Sequence, residues 1–206
     1  MKRHYDFSPY SYVLNNPIKF IDPNGLFEFP KDQAEKYPKF AEYLKNGVSK
    51  IYKDKNIMNA LVKYTGYSKK EIKEMLKWGN GPTINVEKLG RSELGKFTKG
   101  TTTLRISEDI VNSLESSSSN SNVNSKAHSF FAAVTILHEF AHFGVDQNYL
   151  YPERSTEVGF SFELEAFGQL VGSFEDAAKI LNITPEFEVV RAVVGVPKKF
   201  DSYILK

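Results

Sequence analysis

A chain of 206 residues, 41% apolar and 25% charged, supports one well-cored domain with a short appendage. Its formal net charge of +2 is too small to argue for nucleic acid, because the lysines are scattered and their densest run, Lys50, Lys53 and Lys55, reads as a solvated helix face. No cysteine means no disulfide and no Cys-ligated metal, no apolar run suffices for a transmembrane helix, and Met1-Lys2-Arg3-His4 does not open a signal peptide.

The first 26 residues differ from the rest. Ser8-Pro9-Tyr10-Ser11-Tyr12-Val13-Leu14-Asn15-Asn16-Pro17 alternates small, aromatic and turn-forming residues. Ile18-Lys19-Phe20-Ile21 reads as a short strand and Asp22-Pro23-Asn24-Gly25 as a tight turn. Such a segment holds too little apolar surface to fold alone. It resembles the end of the core of RHS (rearrangement hot spot) repeat proteins, in which a stretch like residues 8–26 closes a repeat shell and precedes a variable toxin domain. The Asp22–Leu26 ending carries that resemblance. It implies that residues 1–26 are a remnant of the RHS core and residues 27–206 a toxin domain, commonly cut from its shell at this boundary.

Helical spacing dominates from Lys31 to about Trp78. Ala34, Tyr37, Phe40, Ala41 and Leu44 predict one helix, ended by Asn46-Gly47. Ile57, Ala60, Leu61 and Tyr64 predict a second, stopped at Gly66. A third opens with Ser68 and Glu71 as a capping box and Tyr67 and Ile72 as a hydrophobic staple. None of the three has a spacing that demands chemistry.

Thr83-Ile84-Asn85-Val86 and Thr101–Ile106 then alternate polar and apolar residues, as half-buried strands do, with Gly90, Gly95 and Gly100 as turns between them. Ile110, Val111 and Leu114 predict a short helix. A polar loop of serine and asparagine follows, from Ser116 to Asn122.

The stretch His128–Gly144 carries the chemistry. Phe130, Val134, Leu137 and Ala141 make an apolar stripe at helical spacing, with Gly144 placed to stop the helix. On that helix His138 and His142 project one above the other and can both reach one metal ion, with Glu139 beside it. If the two histidines were merely packed, Glu139 would be an unexplained carboxylate in an apolar helix, at a cost of several kcal/mol if buried unpaired. A catalytic zinc needs a third protein ligand. No cysteine exists and no histidine follows His142, so an acid must serve: Asp146, Glu153, Glu157, Glu163 or Glu165.

Ser155 or Thr156 is placed to cap a helix running to about Leu181. There Glu163 shares a face with Gly159, Ala166, Phe167 and Leu170, which are apolar and small enough beside the acid for another helix to approach. Glu165 faces a more solvated surface. Glu157 lies in the first turn, where its charge suits the helix dipole, or where it serves as ligand or orients a histidine. Glu163 is the expected ligand and Glu157 the alternative.

His138-Glu139-Phe140-Ala141-His142 is the HExxH pattern of zinc metallopeptidases. With Glu157-x-Gly159-x-x-Phe162-Glu163 and Phe167-Gly168 it resembles the metallopeptidase-type toxin domains found downstream of RHS cores. It is also similar to gluzincins, although their usual signature around the ligating Glu is incomplete. The resemblance implies an α+β, zincin-like fold: a helical N-terminal part, a small sheet, the active-site helix and a ligand-bearing helix. It implies Zn²⁺ held by His138, His142 and Glu163, with Glu139 taking a proton from the bound water and returning it to the leaving amine. An edge strand beside the helix would seat an extended substrate, and Thr103, Leu104 and Arg105 are the expected residues. The oxyanion donor stays open among Tyr149, Tyr151, Arg154, Arg191 and Tyr203. The expected partners are a target-cell protein or peptide as substrate, a cognate immunity protein, and an RHS shell with its secretion machinery. Nucleic acid and a membrane span are not expected. The expected setting is a delivered effector acting inside the target cell. A non-catalytic zincin-fold module that captures a target protein is the second reading. A nuclease is disfavoured for want of a basic face.

Overall fold

A computed structural model describes residues 29–117, 123–151 and 157–182. The RHS-like segment, the expected cap at Ser155 or Thr156, and the acid Glu153 lie outside them.

The first predicted helix is two, α1 (Lys31–Lys36) and α2 (Pro38–Asn46). Pro38 excludes the helical conformation at the residue before it, and Tyr37 sits at φ −124°, ψ 67°. Phe40 and Leu44 still enter the core. α2 ends at Asn46-Gly47 as expected, Gly47 N–H donating to the Tyr43 carbonyl oxygen at 2.7 Å, and a separate 3₁₀ turn over Val48–Lys53 follows. α3 (Lys55–Thr65) starts where Asp54 accepts from the N–H groups of Asn56 and Ile57, at 2.9 and 3.0 Å, and ends at left-handed Gly66. α4 (Lys69–Met75) has the expected capping box, with Glu71 accepting from Ser68 N–H at 2.8 Å and Ser68 Oγ from Glu71 N–H at 3.3 Å. Ser68→Ala is expected to cost about 1 kcal/mol in chemical denaturation, since it leaves one of those first-turn donors without its cap.

Three strands form the sheet: β1 (Thr83–Glu87), β2 (Gly95–Phe97) and β3 (Thr103–Ser107), in the order β1-β3-β2. β3 runs parallel to β1 and antiparallel to β2. Ile84, Val86, Leu104 and Ile106 fill the core side of the pleat. The expectation that Thr101–Ile106 is an edge strand is not met. β3 is central, its backbone committed on both sides, and the edge beside the long helix belongs to β2. Gly95, read as a turn, is that edge strand's first residue; three residues are too few to show an alternation.

The remaining described helices are α5 (Glu108–Ser116), α6 (Val123–Gln147), α7 (Val158–Phe167) and α8 (Phe174–Ile180). α6 begins before His128 and runs past Gly144. A Cβ at Gly144 would lie 2.3 Å from Thr65 Cβ, so this glycine lets α3 cross α6 at backbone distance instead of stopping a helix. His128 stacks on Phe174, ring centroids 4.3 Å apart. The single helix expected up to Leu181 is broken at Gly168, whose φ of 75° ends α7, and α8 is capped by Ser173. α6 is the axis of the domain, packed by α3, α5, α7, α8, β2 and β3, with Ile136, Leu137 and Phe140 fully buried. Helices around a small mixed sheet make the α+β class expected from the sequence. Among the described residues, no helix is long and apolar enough to cross a membrane.

Candidate active site

α6 turns His138, Glu139 and His142 toward β2 and α7. The two imidazoles lie with ring centroids 5.2 Å apart, as i, i+4 spacing on a straight helix requires. Glu139 is buried under the edge of β2. A Cβ at Gly95 would fall 2.8 Å from Glu139 Cγ and Oε1, so only glycine lets the strand lie this close, and the backbone of Phe97 hydrogen-bonds the carboxylate. Burial pushes Glu139 up to about 7, opposed by the charge on His138, the Phe97 hydrogen bond and the charge of Arg105. Burial and the neighbouring His138 push His142 down to about 4, so its imidazole is neutral at pH 7 with a free lone pair. At His138 burial acts downward, but the hydrogen bond to Glu163 and the charges of Glu139, Glu163 and Glu157 outweigh it and raise the group.

α7 delivers Glu163, which is 4% exposed. Its Oε1 lies 2.6 Å from His138 Nδ1, and its Oε2 accepts from Val171 N–H at 2.7 Å, a residue brought back by the turn at Gly168. One turn earlier, a Cβ at Gly159 would lie 2.3 Å from His138 Nε2, so the backbone of α7 rests against the ring. Phe160 meets the same imidazole edge-on at 5.2 Å. Glu157 is exposed at the N-cap of α7, near enough for its charge to act on His138.

The fold thus brings His138, Glu139, His142 and Glu163 together. Among the described residues no three His, Cys, Asp or Glu side chains converge on one point, because Glu163 meets His138 from the side. By type the set suits zinc: two imidazoles and one carboxylate. The other acids are used elsewhere. Asp146 is buried and accepts from Gly100 N–H at 2.9 Å, and Glu165 pairs with Lys63. Leu104 is wholly core, while Thr103 and Arg105 are half-buried on the opposite face of β3. Of the oxyanion candidates, Tyr149 is 77% exposed and Tyr151 carries Lys99 over its ring; Arg154, Arg191 and Tyr203 lie outside the described residues. Gly95, Phe97 and Val171 carry no motif, and sequence reading passed over their part in the site. A glycine one turn before an acid, as at Gly159 and Glu163, was the available signal of close helix approach.

The family model of metallopeptidase toxin 3 matches residues 33–168, from within α1 to the end of α7 and so across the whole constellation. No curated protein and no solved structure matches the chain. With about two thirds of its length matched by that model, the chain belongs to the metallopeptidase toxin 3 family and is a metallopeptidase toxin domain.

Proposed function

We propose that the chain is a zinc-dependent endopeptidase toxin that hydrolyses peptide bonds of a target-cell protein. The observation that carries this reading is the meeting of three elements: the histidine pair of α6, the buried acid of α7 at 2.6 Å from His138, and the Glu139 carboxylate under the edge of β2. His138, His142 and Glu163 are the ligands. Glu163 is preferred over Glu157 because it is the buried acid on the side of the helix turned to the histidines, whereas Glu157 is exposed. When bound, zinc supplies Lewis-acid polarisation of the peptide carbonyl and acidifies the attacking water.

The rest falls to the chain's own groups. Glu139, raised to about 7, has a basicity matched to taking the water's proton near neutral pH and returning it to the leaving amine. The outer edge of β2, unpaired within the sheet apart from the Phe97 bond to Glu139, seats an extended peptide by backbone pairing next to that carboxylate. Phe160, 44% exposed and touching His138, offers an apolar contact on the other side of the cleft. By its resemblance to RHS proteins, the domain is carried to the target cell as the last part of such a protein. A cognate immunity protein protects the producer.

The test is zinc stoichiometry by elemental analysis on wild type, Glu163→Ala and Glu157→Ala, with peptide hydrolysis measured in parallel. Near-equimolar zinc that is lost in Glu163→Ala and kept in Glu157→Ala is the expected result. The reverse pattern transfers the ligand role to Glu157. A wild type that takes up no zinc after reconstitution ends the peptidase reading.

A further inference from the structure

Sheet order and register leave a row of side chains that the proposed hydrolysis does not use. On the face turned away from α6, Asn85, Arg105 and Lys96 stand side by side across β1, β3 and β2. The next position in that row is the free edge of β2. Arg105 has no hydrogen-bond or ion-pair partner among the described residues. Lys96 pairs with Glu93 at 3.1 Å, but both side chains are nearly half exposed, so the pair is weak and exchangeable. The stretch leading through β2 into β3 is also basic: Lys88, Arg91, Lys96, Lys99 and Arg105 stand against one acid, Glu93, whose carboxylate feels the charge of Arg105.

Positive charge on the sheet face beside the β2 edge, here Lys96 and Arg105, is matched by negative charge in what pairs with that edge. In a strand paired antiparallel to β2, alternate residues fall on the face that Lys96 and Arg105 occupy. Opposite charges on neighbouring strands attract, which brings in Lys96 directly and Arg105, one strand further, through its long side chain. We propose that the chain selects peptides with Asp or Glu at alternate positions of the segment laid along β2, recognised by Lys96 and Arg105. This rests on the peptidase reading only in taking the β2 edge as the peptide's seat.

The test uses the full chain carrying Glu139→Gln, loaded with zinc, and fluorescence anisotropy on labelled peptides. The peptides are identical except for Asp, Ser or Lys at alternate positions, in both phases. The Asp peptide of one phase is expected to bind about fivefold more tightly than its Ser counterpart, and the Lys peptide more weakly. Lys96→Glu with Arg105→Glu is expected to invert that order. Reversing Lys50 and Lys53, which lie on the 3₁₀ turn away from the sheet, is expected to leave it alone. Asp and Lys peptides binding alike would overturn the proposal. So would an inversion produced equally by Lys50→Glu with Lys53→Glu, or displacement of the Asp peptide by an equal concentration of single-stranded oligonucleotide, which would make the row a nucleic-acid contact. Cleavage by wild type is read separately. An acidic preference without cleavage keeps this inference and removes the peptidase reading; cleavage without charge preference does the opposite.

Discussion

Replacing Glu139 by Gln is expected to lower kcat/KM for a cleaved peptide about a thousandfold, within the range for loss of a general acid–base, while zinc content stays at the wild-type value. The amide has the same shape and its oxygen still accepts from the backbone of Phe97, so the packing under β2 is preserved. What disappears is the capacity to take a proton. Burial already disfavours the charged form of Glu139, so the substitution is expected to leave thermal stability unchanged or slightly improved. Hydrolysis, zinc content and thermal unfolding measured on one preparation decide it. Activity within tenfold of wild type would show that another group moves the proton.

Gly159→Ala is expected to damage the site through backbone geometry alone. The added Cβ would lie 2.3 Å from His138 Nε2 and Cδ2 and 2.5 Å from Cε1, distances that no relaxed contact tolerates. Either the imidazole turns aside or α7 backs away from α6. The second response also draws Glu163, one turn along, from its place at 2.6 Å from His138 Nδ1. Zinc affinity is expected to fall by about ten- to a hundredfold, as when a ligand loses its orienting partner, and stability by about 1–3 kcal/mol from overpacking. Gly172→Ala is the control: nothing lies within 4 Å of its Cβ, and neither quantity should move. Zinc titration and chemical denaturation supply both readouts. Wild-type zinc affinity in Gly159→Ala would mean that α7 does not press on the histidine.

The parts of the fold legible in the sequence are those written in short-range periodicity. The α3 stripe ending at Gly66, the Ser68–Glu71 box and the alternation of β1 all depend on residues within a turn or a few strand positions of one another. The i, i+4 spacing that puts His138 and His142 on one face is of the same kind. Pro38 was visible too, and the rule that it bars helix at Tyr37 outweighs the apolar spacing that runs through it. What escaped depends on distant partners. Gly144 looks like a stop signal until Thr65 is known to lie against it, and Gly95 looks like a turn until Glu139 is known to need the space. Which strand of a hairpin is the edge depends on a third strand, and β1 took the side of β3 that the expectation had left open.

The Glu163 carboxylate is gripped from both ends, by His138 on α6 and by the N–H of Val171 in the segment after its own helix, while Glu139 is roofed by Gly95 of a strand far earlier in the chain. No single element therefore contains the assembled site, which draws on residues from Gly95 to Val171. A chain threaded through a narrow passage in extended form, or cut anywhere between β2 and Val171 with the pieces separated, has no assembled base and no gripped acid. On the delivery and peptidase activity proposed above, refolding at the destination would be the arming step, because the site forms only in the same cooperative transition as the fold.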